Sequence, residues 1–260
     1  MNITGSYPFG APLRPLVQQD RSPKKVFVLG VYASAVHAKW LDADGRLLVR
    51  ALAVASEPSI FWDGSGADDI VNAIKVPAAA GRLEPADAAF NGPSGRSLDD
   101  DFLGPLGVAR EDAWLCDLVP HTCLNPGQRK AINRAYAPKV PSLGLPKVDL
   151  PPVPKRFADD SRRAEVLAEV VAADPEVIVL LGDQPIRNWL RHYNKTWSRL
   201  SDFGDEPETY GRLHEADIAG KSYQILPVAH PRQVGGLGMH SAKWRELHEH
   251  WKVNVAGQLL

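Results

Sequence analysis

Tyr223-Gln-Ile-Leu-Pro-Val-Ala-His230-Pro231-Arg232-Gln-Val-Gly-Gly-Leu-Gly-Met-His240 is the stretch on which the reading of this chain turns. Its apolar half reads as a core strand running through Val228 and Ala229. His230 follows the strand end, and Pro231 fixes the backbone that presents it. Glycines at 235, 236 and 238 allow the next loop to approach a ligand closely. Ligands of open α/β sheets bind outside the carboxyl ends of the strands, so a histidine there is placed for chemistry. The competing reading is a plain His-Pro turn.

Working outward, three more apolar runs read as strands: residues 24–30, 113–120 and 176–182. Between them lie a hairpin, 38–41 with 47–54 turning at Gly45, and helical patterns over 67–76, 162–173, 184–192 and 241–253. In 162–173 the periodicity turns Ala164, Leu167, Val170 and Val171 inward. Ser241 is the expected N-cap of the last helix, with Trp244, Leu247 and Trp251 as its apolar stripe. Residues 77–112 read as short helical pieces and turns, 121–154 as a basic, proline-rich connection, and 194–222 as a polar excursion. Strands alternating with helices predict an α/β fold: a three-layer α/β/α sandwich around a central, mostly parallel four-stranded sheet. Residues 1–23 read as a surface arm and 24–260 as one domain.

Composition bounds the function. Hydrophobic residues make up 44% of 260, ordinary for a globular chain. No apolar run is long enough to cross a membrane, and Met1-Asn-Ile-Thr lacks the basic start of a signal peptide. The formal charge of −1 excludes a global basic field, although 30 Lys and Arg suffice for a local basic face. Cys116 and Cys123 are too few for a four-thiolate metal or iron–sulfur site and fit no redox spacing. They read as reduced thiols of a cytoplasmic protein. No metal and no cofactor is expected, and a monomer is the default.

Four strand ends then carry four loops: 30–35, 117–122, 182–184 and 230–239. This ordered set resembles the uracil-DNA glycosylase superfamily over roughly residues 24–253. Gly30-Val31-Tyr32-Ala33-Ser34 looks like its opening motif. Trp114-Leu-Cys-Asp117 looks like its base-reading strand, and His230-Pro231 like the start of its closing motif. Tyr32 stands where that family usually has Asp or Asn, Ala33 where it has Pro, and Arg232 where it has Ser.

The resemblance implies hydrolysis of the N-glycosidic bond of uracil, or of other deaminated bases, in DNA, with free uracil as product. His230, neutral, would donate to the pyrimidine carbonyl as negative charge develops there. Tyr32 leaves the water side open, a phenol being a poor base at neutral pH; Asp117 would supply the carboxylate, or backbone carbonyls would orient the water, or the DNA phosphates would offset the sugar cation. Capping at the strand end is the competing role for Asp117. Gly30, Val31 and Ser34 would border the base, with Phe61 or Trp62 stacked on it; adjacent side chains point apart, so at least one of the two is expected exposed or facing a cleft. The alternative for either ring is core packing. Val234, Leu237 and Met239 are candidate wedges for the vacated stack. Arg129, Lys130, Arg232, Ser241 and Lys243 are candidate phosphate contacts. Two other readings compete: a DNA-binding member of the same fold without catalysis, motivated by Tyr32, and an unrelated α/β enzyme holding a phosphate at Gly30.

Overall fold

A computed structural model describes residues 4–238 and 240–260. The chain divides into two compact units. Unit 1 comprises the N-terminal stretch to Leu16, Tyr32–Gly95 and Pro120–Lys155; unit 2 comprises Val17–Val31, Arg96–Val119 and Arg156–Leu260. Each unit is thus assembled from three chain segments where the sequence suggested one domain. Among the described residues, no helix is long and apolar enough to cross a membrane.

Unit 2 is built on a mixed, parallel-dominated sheet. Its strands are β1 (Val26–Tyr32), β5 (Ala113–Val119), β6 (Val177–Leu181), β7 (His214–Ile218) and β8 (Lys221–Val228), in the order β5-β1-β6-β8-β7. β1 pairs parallel with β6, and β6 with β8. The sheet has five strands, not four. The addition is β7, antiparallel to β8 through a tight turn at Ala219 and Gly220, which both have positive φ. Its sequence His-Glu-Ala-Asp-Ile buries only Ala216 and Ile218 fully, so an edge strand with a polar outer face had read as loop. β1, β5, β6 and the second half of β8 are almost wholly buried, which is why their apolar runs were visible.

The Asp160–Ala173 helix shows how local chemistry sets boundaries. The Asp159 carboxylate caps its start by accepting from the Arg162 N–H at 2.8 Å. Asp174, in the left-handed region, ends it. Its inward face is Arg162, Val166, Glu169, Val170 and Ala173, whereas Ala164 is exposed and Val171 is 60% exposed. The predicted face is therefore rotated. Hydropathy cannot register an Arg–Glu pair that turns inward.

Unit 1 carries a second sheet, antiparallel and in the order β3-β2-β4, from β2 (Ala35–Leu41), β3 (Leu47–Ser56) and β4 (Arg82–Pro85). The hairpin is as expected. β4, in a stretch read as turns, is new, and the helix predicted over 67–76 closes early, as Ala67–Asn72. The N-terminal stretch is no surface arm: Tyr7, Phe9, Leu13 and Leu16 are buried. Phe9 takes a positive φ, donates its N–H to the Tyr136 hydroxyl at 2.8 Å, and sets its ring edge-on to Trp40 and Tyr136. Such pairs add about 0.5–1.5 kcal/mol each to ordinary burial.

Candidate functional site

The site is built at one end of the unit 2 sheet. β6 and β8 run parallel with Leu181 beside Val228, and the Gly182 N–H donates to the Val228 carbonyl at 2.8 Å. Gly182 and His230 are therefore neighbours just past two parallel strand ends. A Cβ on Gly182 would lie 3.1 Å from the His230 Cβ, and Gly182 has φ 77 and ψ −168, a region only glycine occupies comfortably. Gly182→Ala should therefore cost about 1–3 kcal/mol in urea unfolding and displace the His230 ring. Stability equal to the wild type would show that the contact is slack.

His230 is the N-cap of the short Pro231–Val234 helix. Its Nδ1 accepts from the Arg232 N–H at 3.1 Å, and its own N–H donates to Gln233 Oε1 at 3.3 Å. This reciprocal box fixes the ring and the tautomer: with Nδ1 accepting, the proton of the neutral imidazole sits on Nε2. Burial, with Arg232 nearby, holds its pKa down at about 4. At neutral pH His230 is thus an uncharged donor, and its Nε2–H has no hydrogen-bond partner among the described residues.

The backbone that delivers it is pinned. The Ala229 N–H donates to the Tyr210 hydroxyl at 2.8 Å. That hydroxyl meets His248 Nδ1 at 2.8 Å, while His248 Nε2 meets the Asp101 carbonyl at 3.0 Å. The assignment that satisfies every group has Nε2–H donating to Asp101 and Tyr210 donating to Nδ1. Tyr210 and His248 are fully buried, although Tyr210 lies in the stretch expected to be a polar excursion and His248 lies outside the apolar stripe expected of the closing helix.

Asp117 lies inside β5, not at its end, and every residue of that strand is buried. Its carboxylate accepts from the Val31 N–H on the neighbouring strand. Burial raises its pKa to about 7 despite the opposing pull of Arg162. The guanidinium of Arg162 donates to the carbonyls of Asp117 (2.7 Å) and Leu118 (3.0 Å), approaches Cys116 Sγ at 3.3 Å, and pairs with Glu169 at 3.5 Å. Trp114 Nε1 donates to the same Glu169 carboxylate at 3.0 Å. Cys116 faces the helix, so alternation along the strand turns Asp117 to the other side of the sheet. Burial also pushes the Cys116 thiol well up, so it stays protonated.

Val31 and Asp117 are thus brought together, with Gly30 buried beside them, as are His230 and Gly182. The register Leu29↔Leu180 and Leu181↔Val228 sets the ends of β1, β6 and β8 level. Three strand steps separate β5 from β8, about 14 Å between backbones. Asp117 and His230 cannot touch.

The other expected residues fare differently. Residues 30–32 belong to β1, so the first loop shrinks to Ala33 and Ser34. Tyr32, half-buried, and Ser34, exposed, belong to unit 1, where the Thr122 hydroxyl donates to the Ser34 carbonyl. Phe61 and Trp62 are both buried, against the expectation that one would be exposed or face a cleft. Phe61 has φ 50, and Trp62 is a core residue whose Nε1 donates to the Ser65 carbonyl at 2.8 Å. A positive φ breaks the alternation that the expectation assumed. Arg129 and Lys130 are exposed on the Pro126–Ala131 helix of unit 1.

In unit 2, Val234 is buried and is no wedge, whereas Leu237 is 59% exposed between Gly236 and Gly238, both at positive φ. Met239 lies outside the described residues. Arg232 is exposed. Lys243 is held by Asp205 at 2.7 Å and Glu206 at 3.8 Å, so its charge is already met. Ser241 is the first residue of the last helix rather than its cap; His240 takes the cap position at φ 56, without a side-chain cap bond.

No protein-family model matches the chain, and no curated protein matches it.

Proposed function

We propose that this end of the unit 2 sheet excises a base from DNA, hydrolysing the N-glycosidic bond of uracil or a related deaminated base on a uracil-DNA glycosylase-like α/β/α frame. The observation that carries the reading is His230: neutral, oriented through Nδ1, past the end of a core strand, with an Nε2–H that no other described residue engages.

Departure of a pyrimidine puts negative charge on its carbonyl oxygen and positive charge on the sugar. A donor already in place costs no reorganisation as the charge appears. An imidazolium would bind the ground state too and would need a proton the site withholds; the depressed pKa avoids both. On the other flank, ionised Asp117 offsets the sugar cation and orients water. Leu237, held out by its two glycines, fills the gap left by the extruded base. No step calls for a metal or cofactor.

A duplex with a single deoxyuridine, incubated with the protein and then treated with alkali, tests this directly. Strand scission at the uracil position supports the proposal; an intact strand under conditions where the DNA is bound favours a binding protein without catalysis.

The pH dependence follows from Asp117. The rate should rise as pH passes through about 7 and the carboxyl ionises, and Asp117→Asn should flatten that rise. Stability moves oppositely. The native carboxyl keeps its proton up to about 7, whereas the unfolded one loses it near 3.8. Between these values the native state binds more protons, so stability falls as pH rises, by at most about 4 kcal/mol. Urea midpoints of the wild type and Asp117→Asn should therefore diverge between pH 4 and pH 7 and run parallel above it.

A further inference from the structure

Over 120–155, unit 1 carries Arg129, Lys130, Arg134, Lys139, Lys147 and Lys155 against one carboxylate, Asp149, in a chain whose net charge is −1. None of the six cations makes an ion pair among the described residues, whereas most other clusters of charge in the molecule are matched. All but Lys139 are exposed. Arg129 and Lys130, with Asn133, stand around a cavity of about 520 Å³ whose remaining lining is Leu124, Pro126 and Val153. The segment is stiffened by proline, and Gln128 ties it to β3, accepting from the Ala53 N–H at 2.8 Å and donating to the Ala51 carbonyl at 3.0 Å.

Unpaired like charges repel one another and are relieved by an anion of matching density. Arg129, Lys130 and Arg134 ride one continuous helical stretch, within about 8 Å of one another along it. Duplex DNA presents one negative charge per about 1.7 Å of axis. Proline-fixed backbone reduces the ordering cost of such a contact, and the apolar floor beneath the cations suits the sugar face between phosphates.

We infer that this basic segment of unit 1 is a docking surface for the phosphate backbone of duplex DNA, independent of base identity. The inference takes its partner from the excision reading and extends the phosphate contacts expected of Arg129 and Lys130 to the whole basic segment. It predicts binding of DNA that contains no uracil, which the chemistry at His230 does not require.

The test is fluorescence anisotropy of a uracil-free duplex over a series of salt concentrations. Three proteins are compared: the wild type; Arg129→Gln, Lys130→Gln, Arg134→Gln, Lys155→Gln; and a charge-matched control, Arg46→Gln, Lys75→Gln, Arg191→Gln, Lys195→Gln. All eight positions are exposed, so folding is preserved. The wild type should bind with a steep salt dependence. The first variant should lose affinity at least about 10-fold at low salt, with the slope of log affinity against log salt shallower by about 3, and the control should follow the wild type. An unchanged slope in the first variant, an equal loss in the control, absence of salt-dependent binding by the wild type, or equal binding of polyglutamate would each overturn the inference. Uracil excision by a protein that fails this test would leave the His230 reading standing; loss of excision in His230→Ala with duplex binding intact would separate the two in the other direction.

Discussion

Arg162→Met should destabilise the protein by about 3–5 kcal/mol, the usual cost of removing one partner from a buried ion pair. Arg162 and Glu169 are each 7% exposed. Without the guanidinium, Glu169 keeps just two neutral donors, the Trp114 N–H and the Cys116 thiol, and the carbonyls of Asp117 and Leu118 lose a charged donor. Asp117 loses the one cation that lowers its pKa, so it is driven further toward its protonated form. Replacing both members, Arg162→Met with Glu169→Gln, removes the stranded charge while keeping an acceptor for the Trp114 N–H, and should recover part of the loss. Urea unfolding of the two single variants and the double variant measures this. A single variant as stable as the wild type would mean the pair is hydrated and the β5 side of the site is not held as described.

His230→Ala should reduce base release by about 100-fold or more, the typical effect of deleting one preorganised donor to a developing oxyanion. The ring also caps a four-residue helix, so about 1 kcal/mol of stability should go with it. His230→Asn separates these effects: its side-chain oxygen can still accept from the Arg232 N–H and restore the cap, while its donor falls short of the Nε2 position. Stability should return with Asn and activity should not. Wild-type rates for either variant would remove His230 from the chemistry.

The strands that build this edge were legible because β1, β5, β6 and the end of β8 are buried on both faces, and such strands read as unbroken apolar runs. The stretch after β8 was legible in part, because His-Pro and closely spaced glycines each have a stated backbone consequence; the Pro231–Val234 helix within it was not. Three things were hidden. β7 carries Glu215 and Asp217 on its open side, so its pattern is polar and its β character comes from pairing with β8 rather than from propensity. The Asp160–Ala173 helix turns Arg162 and Glu169 inward, and a hydrophobic period cannot find a face that is partly charged. Unit 1 is closed by three chain segments, and contacts such as Phe9 with Tyr136, or Ala53 with Gln128, span 75 or more residues. Tyr210 and His248 belong with these: the signal in sequence is two ordinary residues, and only the fold sets them under the backbone of Ala229.

The most direct measurement is of the His230 ring itself. A long-range ¹H–¹⁵N correlation of the imidazole, recorded across pH, reports both its charge and its tautomer. We expect a neutral ring protonated on Nε2 down to about pH 4, with the Nε2 resonance shifting when uracil is added. A ring that becomes imidazolium near pH 6.5, or whose proton sits on Nδ1, would contradict the assignment.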